Sequence, residues 1–242
     1  MKHLFYFIFV ASILISCTKQ VDTSGIATPT TPTTGSTVAP SIRFFNVMDY
    51  GNDTVLINTA STGALARYYP TAYLKGVIGS NNIQVIFGGN TVVNVNVNLL
   101  AGSSYSCFIY RVGYDWKVSV VADDLSTPTA GNTKVRVLDF RTQAYFSYIN
   151  VHFSSPGNLS LDYTYRNFLD HLSFDTYTVF KTITAGTYTI TLSNSSTGAT
   201  LKTVSNVVFA STKIYSVILM TQASQTAADA LNNIQVDVEQ HY

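Results

Sequence analysis

Val93-Asn-Val-Asn-Val-Asn-Leu99 places an apolar side chain at every second position, and Ile234-Gln-Val-Asp-Val-Glu239 repeats the device near the other end of the chain. Successive side chains of an extended strand point to opposite faces, so both stretches read as strands with one buried and one wet face. Trp116, Val118 and Val120 alternate with Lys117 and Ser119 in the same way, and Tyr188, Ile190 and Leu192 alternate with Thr187, Thr189 and Thr191. The runs are short and end in turn chemistry such as Gly88-Gly-Asn90, Ala101-Gly-Ser-Ser104 and Asn194-Ser-Ser-Thr-Gly198. That combination predicts an all-β chain folded as β-sandwiches. Only residues 225–231, with Ala227, Ala228 and Ala230, suit a turn or two of helix.

The chain repeats itself in order. Ser41-Ile-Arg-Phe-Phe-Asn46 matches Lys134-Val-Arg-Val-Leu-Asp139, each with an outward arginine between inward apolar residues. Gly79 leads into Ile83-Gln-Val85 as Gly186 leads into Tyr188-Thr-Ile190, and Leu99-Leu-Ala-Gly-Ser-Ser-Tyr105 corresponds to Val208-Phe-Ala-Ser-Thr-Lys-Ile-Tyr215. The seam is Asp123-Asp-Leu-Ser-Thr-Pro-Thr-Ala-Gly-Asn132, where polar and turn residues interrupt the apolar pattern. Two tandem β-sandwiches are therefore expected, over residues 41–127 and 132–242.

These landmarks resemble a known family. Ile42-Arg43-Phe44, the Ala101-Gly102 turn with Tyr105, the seam residues Asp123-Asp124, Pro128 and Gly131, and Lys134-Val-Arg-Val137 are similar to the motifs of the tandem β-sandwich family catalogued as domain of unknown function 4397. The resemblance spans nearly all of residues 41–242. The second copy departs from it where Ser211 and Thr212 follow Ala210 in place of a glycine. What the resemblance implies is a secreted or lipid-anchored immunoglobulin-like module; it supplies no catalytic residues.

Upstream of the strands the chain changes character. Met1-Lys2-His3 precedes an apolar run over residues 4–15, shorter than the roughly 20 residues a spanning helix needs. It suits the h-region of a secretory signal. Leu14-Ile15-Ser16-Cys17 looks like a bacterial lipobox, so residues 1–16 are expected to be a lipoprotein signal peptide and Cys17 the acylated first residue of the mature chain. At about 0.8 kcal/mol per buried methylene, three acyl chains hold far more firmly than one. Thr18 follows the cysteine, a context that resembles lipoproteins of the outer membrane, facing either the periplasm or the cell surface. Residues 17–40, rich in Thr, Ser, Gly and Pro, cannot bury a core and read as a flexible, lipid-anchored linker.

The composition narrows the function. Of 242 residues 46% are apolar and only 11% charged, and fourteen Lys and Arg face thirteen Asp and Glu. Loss of Lys2 with the signal leaves the mature chain formally neutral, with no field to attract nucleic acid. Cys107 is then the lone thiol; it keeps strand register with Tyr105 and Ile109 and reads as a small inward hydrophobe. No metal-ligand, nucleophile-elbow or phosphate-loop motif occurs, and no cofactor or metal is expected. Asp170, His171 and Asp175 are the nearest thing to a catalytic cluster, with a loop turn beside a solvated imidazole as the plain reading. Asp49 and Asp53 read as Asx-turn residues and Asp123-Asp124 as capping the seam.

Aromatic side chains carry the remaining signal. Tyr163 and Tyr165 fall in step with Leu159 and Leu161, which assigns them to the core. Phe146, Tyr148, Asn150 and His152 share the outward parity and form a candidate binding surface; Phe108 and Tyr110 make a similar outward pair in the first half. Two readings stay open: the patches bury each other between the domains, or they stack on a ligand. The leading functional reading is a non-catalytic, lipid-anchored cell-envelope protein that binds or scaffolds a macromolecule, an envelope protein or a glycan. A carbohydrate-binding accessory lipoprotein is the alternative, and a metal-dependent hydrolase using Asp170, His171 and Asp175 is a third. Oligomeric state is not legible.

Overall fold

A computed structural model describes residues 37–47, 53–141, 148–221 and 234–242. The signal, Cys17, most of the linker, Asp49, Phe146 and the helical candidate at 225–231 lie outside the described residues. What is described is built from strands, with two single 3-10 turns and no helix long and apolar enough to cross a membrane.

The first half contributes β1 (Ser41–Asn46), β2 (Asp53–Ile57), β3 (Ala60–Leu65), β4 (Leu74–Lys75), β5 (Gly79–Phe87), β6 (Asn90–Leu99), β7 (Ser104–Val112) and β8 (Asp115–Asp123). The second contributes β9 (Asn132–Asp139), β10 (Ile149–Ser154), β11 (Leu161–Arg166), β12 (Lys181–Thr184), β13 (Gly186–Asn194), β14 (Thr200–Phe209), β15 (Ile214–Thr221) and β16 (Ile234–Gln240). Sheet orders β4-β1-β7-β8 and β3-β2-β5-β6 recur as β12-β9-β15-β16 and β11-β10-β13-β14. Each half is thus a sandwich of two four-stranded sheets. Even the parallel pairing of β1 with β7 returns between β9 and β15. The alternating residues do what their period requires: Val93, Val95, Val97 and Leu99 are buried, while the Asn82 amide donates to Asn94 and Asn96 on the wet face. Phe44, Val55, Ile83 and Cys107 belong to one core, and Val137, Phe153, Ile190 and Phe209 to the other.

The strand pairings revise the alignment of the two copies. Gly79 and Gly186 start β5 and β13, facing Leu99 and Phe209 respectively, so Ile83 corresponds to Ile190 and buried Asn81 takes the place of Tyr188. The match between Ile83-Gln-Val85 and Tyr188-Thr-Ile190 was two residues out of step. The turn into β7 and the turn into β15 also have equal length. Tyr105 accepts the Leu100 N–H at its hydroxyl, and Tyr215 accepts that of Ala210. Thr212 stands at φ 65° where Gly102 has φ 69°, so the missing glycine is replaced by a threonine held in the same left-handed turn.

The arginines also need correction. Arg43 and Arg136 point out of their own sandwiches as their parity requires, yet both are buried, because those faces pack on each other. Phe45, Phe108, Tyr110 and Val121 from the first half meet Leu138, Phe140, Ile218 and Met220 from the second. For Phe108 and Tyr110, burial between the halves is therefore the answer. Beside this apolar contact lies a closed polar network. Arg43 Nε donates to Ser106 and Arg136 Nε to Ser216, the same bond in both copies. Asp123 accepts from Arg136 at 2.5 Å and from the hydroxyls of Tyr73 and Ser106 at 2.7 Å. His241 closes the group against Arg43, Tyr73 and Ser216. Burial, with Arg43 and Arg136 adjacent, pushes its imidazole far below the ordinary range, so it is neutral there. Asp124 acts as expected of a seam residue, accepting from the Ser126 N–H and hydroxyl.

Candidate functional site

The second sandwich carries an open cleft of about 430 Å³ beside the edge strand β11. Its shape starts with an irregularity in the backbone. Pairing of β10 with β11 slips between Ile149 and Val151, and Tyr165 opposite the slip takes φ 54°. Asn150 holds this bulge by accepting the Tyr165 N–H on its side-chain oxygen at 3.1 Å. A single left-handed residue reverses the strand's alternation. Tyr163 consequently stays in the core, its hydroxyl donating to the Val135 carbonyl, while Tyr165 is 64% exposed. The assignment of Tyr165 to the core was wrong for this reason; Leu159, in the turn before β11, is also exposed rather than inward.

The floor is a buried ion pair. Arg166 at the end of β11 donates from Nε and Nη2 to the two oxygens of Asp170 at 2.5 and 2.7 Å, and from Nη1 to the Val137 carbonyl on β9. Asp170 also accepts the Asn167 N–H, closing the loop into the 3-10 turn Asp170–Leu172. Tyr177, in the second turn Asp175–Tyr177, covers the guanidinium with its ring 4.4 Å away. Two aromatic pairs flank this floor edge to face: Tyr148 with Tyr165 at 6.2 Å and Phe174 with Tyr177 at 5.6 Å. Tyr148 and Phe174 are 51% and 59% exposed.

The residues singled out from sequence do not all meet here. Tyr148 lines the cleft, and Asn150 braces the Tyr165 backbone. His152 is partly exposed, with Nδ1 2.6 Å from Asp162 on β11, and is not among the lining residues. Asp170, His171 and Asp175 form no hydrogen-bonded group. Asp170 is spent on Arg166, Asp175 is exposed, and His171 is buried against Phe140 with neither ring nitrogen hydrogen-bonded. The expected solvated imidazole is thus a core residue, its pKa pushed down to about 3 by burial and the nearby arginines. Asp53 likewise opens β2 as a buried acid accepting from Asn46, not as an Asx-turn residue. No cluster of three or more potential metal ligands exists among the described residues. Phe174, Tyr177 and Asn167 were missed; the visible signal was five aromatics from Tyr163 to Tyr177, continuing past the strand period that ends at Tyr165.

No protein-family model matches the chain, and no curated protein matches it in sequence. Among solved structures, CBMbc, a family CBM26 module from Eubacterium rectale Amy13K crystallised in complex with maltoheptaose, aligns over 83% of this chain and 95% of its own at 10% identity. The TM-score is 0.22.

Proposed function

We propose that this chain is a non-catalytic binding protein of the cell envelope, held at a membrane through acylated Cys17 and a Thr/Pro-rich linker, with the cleft beside β11 as its binding site. The cleft carries this reading. Tyr148, Tyr165 and Phe174 converge there with much of their ring area in water, an arrangement that a partner would cover at a gain. Asp170 is held by Arg166 and His171 is buried against Phe140, so the fold spends both on structure, which favours the binding reading over the hydrolase one. The lipobox at Cys17 and the likeness of residues 41–242 to the tandem-sandwich family of unknown function 4397 support the envelope setting.

Two experiments test the two halves. Metabolic labelling with a palmitate analogue should mark the wild type and not Cys17→Ala; an unlabelled, soluble wild type contradicts the anchor. A photoreactive benzoylphenylalanine placed at Phe174 should crosslink to an envelope macromolecule in intact cells. The same probe at Tyr114, 93% exposed on the turn between β7 and β8 and outside the cleft's lining, should not. Equal labelling from both positions, or none from Phe174, contradicts the cleft as a binding site.

A further inference from the structure

We propose that the ligand of this cleft is a neutral glycan chain, one sugar ring lying on the aromatic surface of Tyr165 and Phe174; this rests on the reading of the cleft as a binding site.

Charge decides the class first. Asp170 is the acid of the lining, and both its oxygens already accept from Arg166. Each nitrogen of Arg166 already donates, and the ring of Tyr177 covers the cation. Arg166 is itself fully buried, so an anionic ligand would reach no donor on that guanidinium, and a cationic one would meet a carboxylate already neutralised by it. What remains is uncharged: the hydroxyls of Tyr148, Tyr165, Tyr177 and Ser173, and the amide nitrogen of Asn167, whose oxygen accepts the Phe168 N–H. No hydrogen bond ties up those terminal groups among the described residues.

Shape separates the neutral ligands. An acyl chain would strand several hydroxyls without partners, each at a desolvation cost. A peptide adding to the edge of β11 would need extended backbone there, and Tyr165 in the left-handed region interrupts it. A sugar ring has an apolar C–H face and a rim of hydroxyls that both donate and accept. It fits aromatic faces bordered by neutral polar groups. Edge-to-face packing within each aromatic pair braces the rings without stacking one flat over the other. The volume, about 430 Å³, lies in the range of small-ligand sites and suits a short stretch of chain rather than a folded partner.

The test is affinity electrophoresis of the folded chain in gels cast with a neutral α-glucan, β-glucan, mannan, galactan or xylan. At least one polysaccharide should retard the wild type and Tyr114→Ala equally. Tyr165→Ala and Phe174→Ala should each weaken that retardation tenfold or more while migrating normally in the blank gel. Added salt should leave it unchanged, since no charge pair forms. Retardation by none of the five, or equal retardation of the cleft variants, overturns the proposal. Crosslinking from position 174 without retardation overturns the glycan and leaves the binding site standing; absence of both overturns both.

Discussion

His171 shows what a single residue costs when the fold gives it no partner. Both of its nitrogens are buried without a hydrogen bond, and its pKa is pushed down to about 3. The unfolded chain takes up a proton near pH 6.5 and the folded chain does not. The stability tied to the neutral form is therefore complete above pH 6.5 and falls by about 1.4 kcal/mol per pH unit down to about 3. Urea unfolding of His171→Leu should show a shallower loss between pH 6.5 and 4 than the wild type; parallel curves would mean that the imidazole titrates alike in both states. Cys107 behaves more simply, since burial pushes its thiol far above the ordinary range. A maleimide should label it only as fast as the chain unfolds, and rapid labelling of the native protein would contradict its burial. At this scale the sequence was legible where a residue obeyed the strand period, as Cys107 does. Tyr165 was not, because one left-handed residue inverts the parity and nothing in its side chain announces that. His171 failed for the opposite reason: polarity argued for solvent, and tertiary packing against Phe140 overrode it.

Among the elements, β1 and β9 carry the most information. Their shared x-R-x pattern revealed the duplication, yet the arginines that mark it serve the contact between the copies rather than a wet surface. Asp123 at the end of β8 joins them, with Arg136, Tyr73 and Ser106 all donating to one carboxylate. Removing one partner of a buried pair leaves the other charge uncompensated, so Asp123→Ala should cost about 3–5 kcal/mol. The double variant Asp123→Leu/Arg136→Met should recover much of that loss in urea denaturation. A single-variant cost below about 1 kcal/mol would show that water reaches the network. Strand existence was legible from alternation alone. Strand pairing was not: Tyr188 looks like the partner of Ile83 in an apolar pattern, and only the hydrogen-bonded register sets it against Asn81.

For the molecule as a whole, the two sandwiches share an apolar contact in which Phe108, Phe140 and Tyr110 pack with ring centroids 4.8–5.6 Å apart. That contact should couple their unfolding into one calorimetric transition, and Phe140→Asp should split it into two; two transitions in the wild type would contradict the coupling. Tandem architecture was readable from the ordered repeats, whereas the cleft was not. It forms only when Tyr148 on one side of β10 meets the turns after β11, a meeting that no local pattern encodes. If these rings are kept for a ligand rather than for the fold, Tyr148→Ala separates the two roles when urea unfolding is measured beside retardation in the polysaccharide gels. Tyr148→Ala should change stability by no more than about 0.5 kcal/mol, as for an exposed side chain, and should weaken retardation. A loss of about 2 kcal/mol or more with retardation unchanged would make the ring a structural packing residue and contradict the claim.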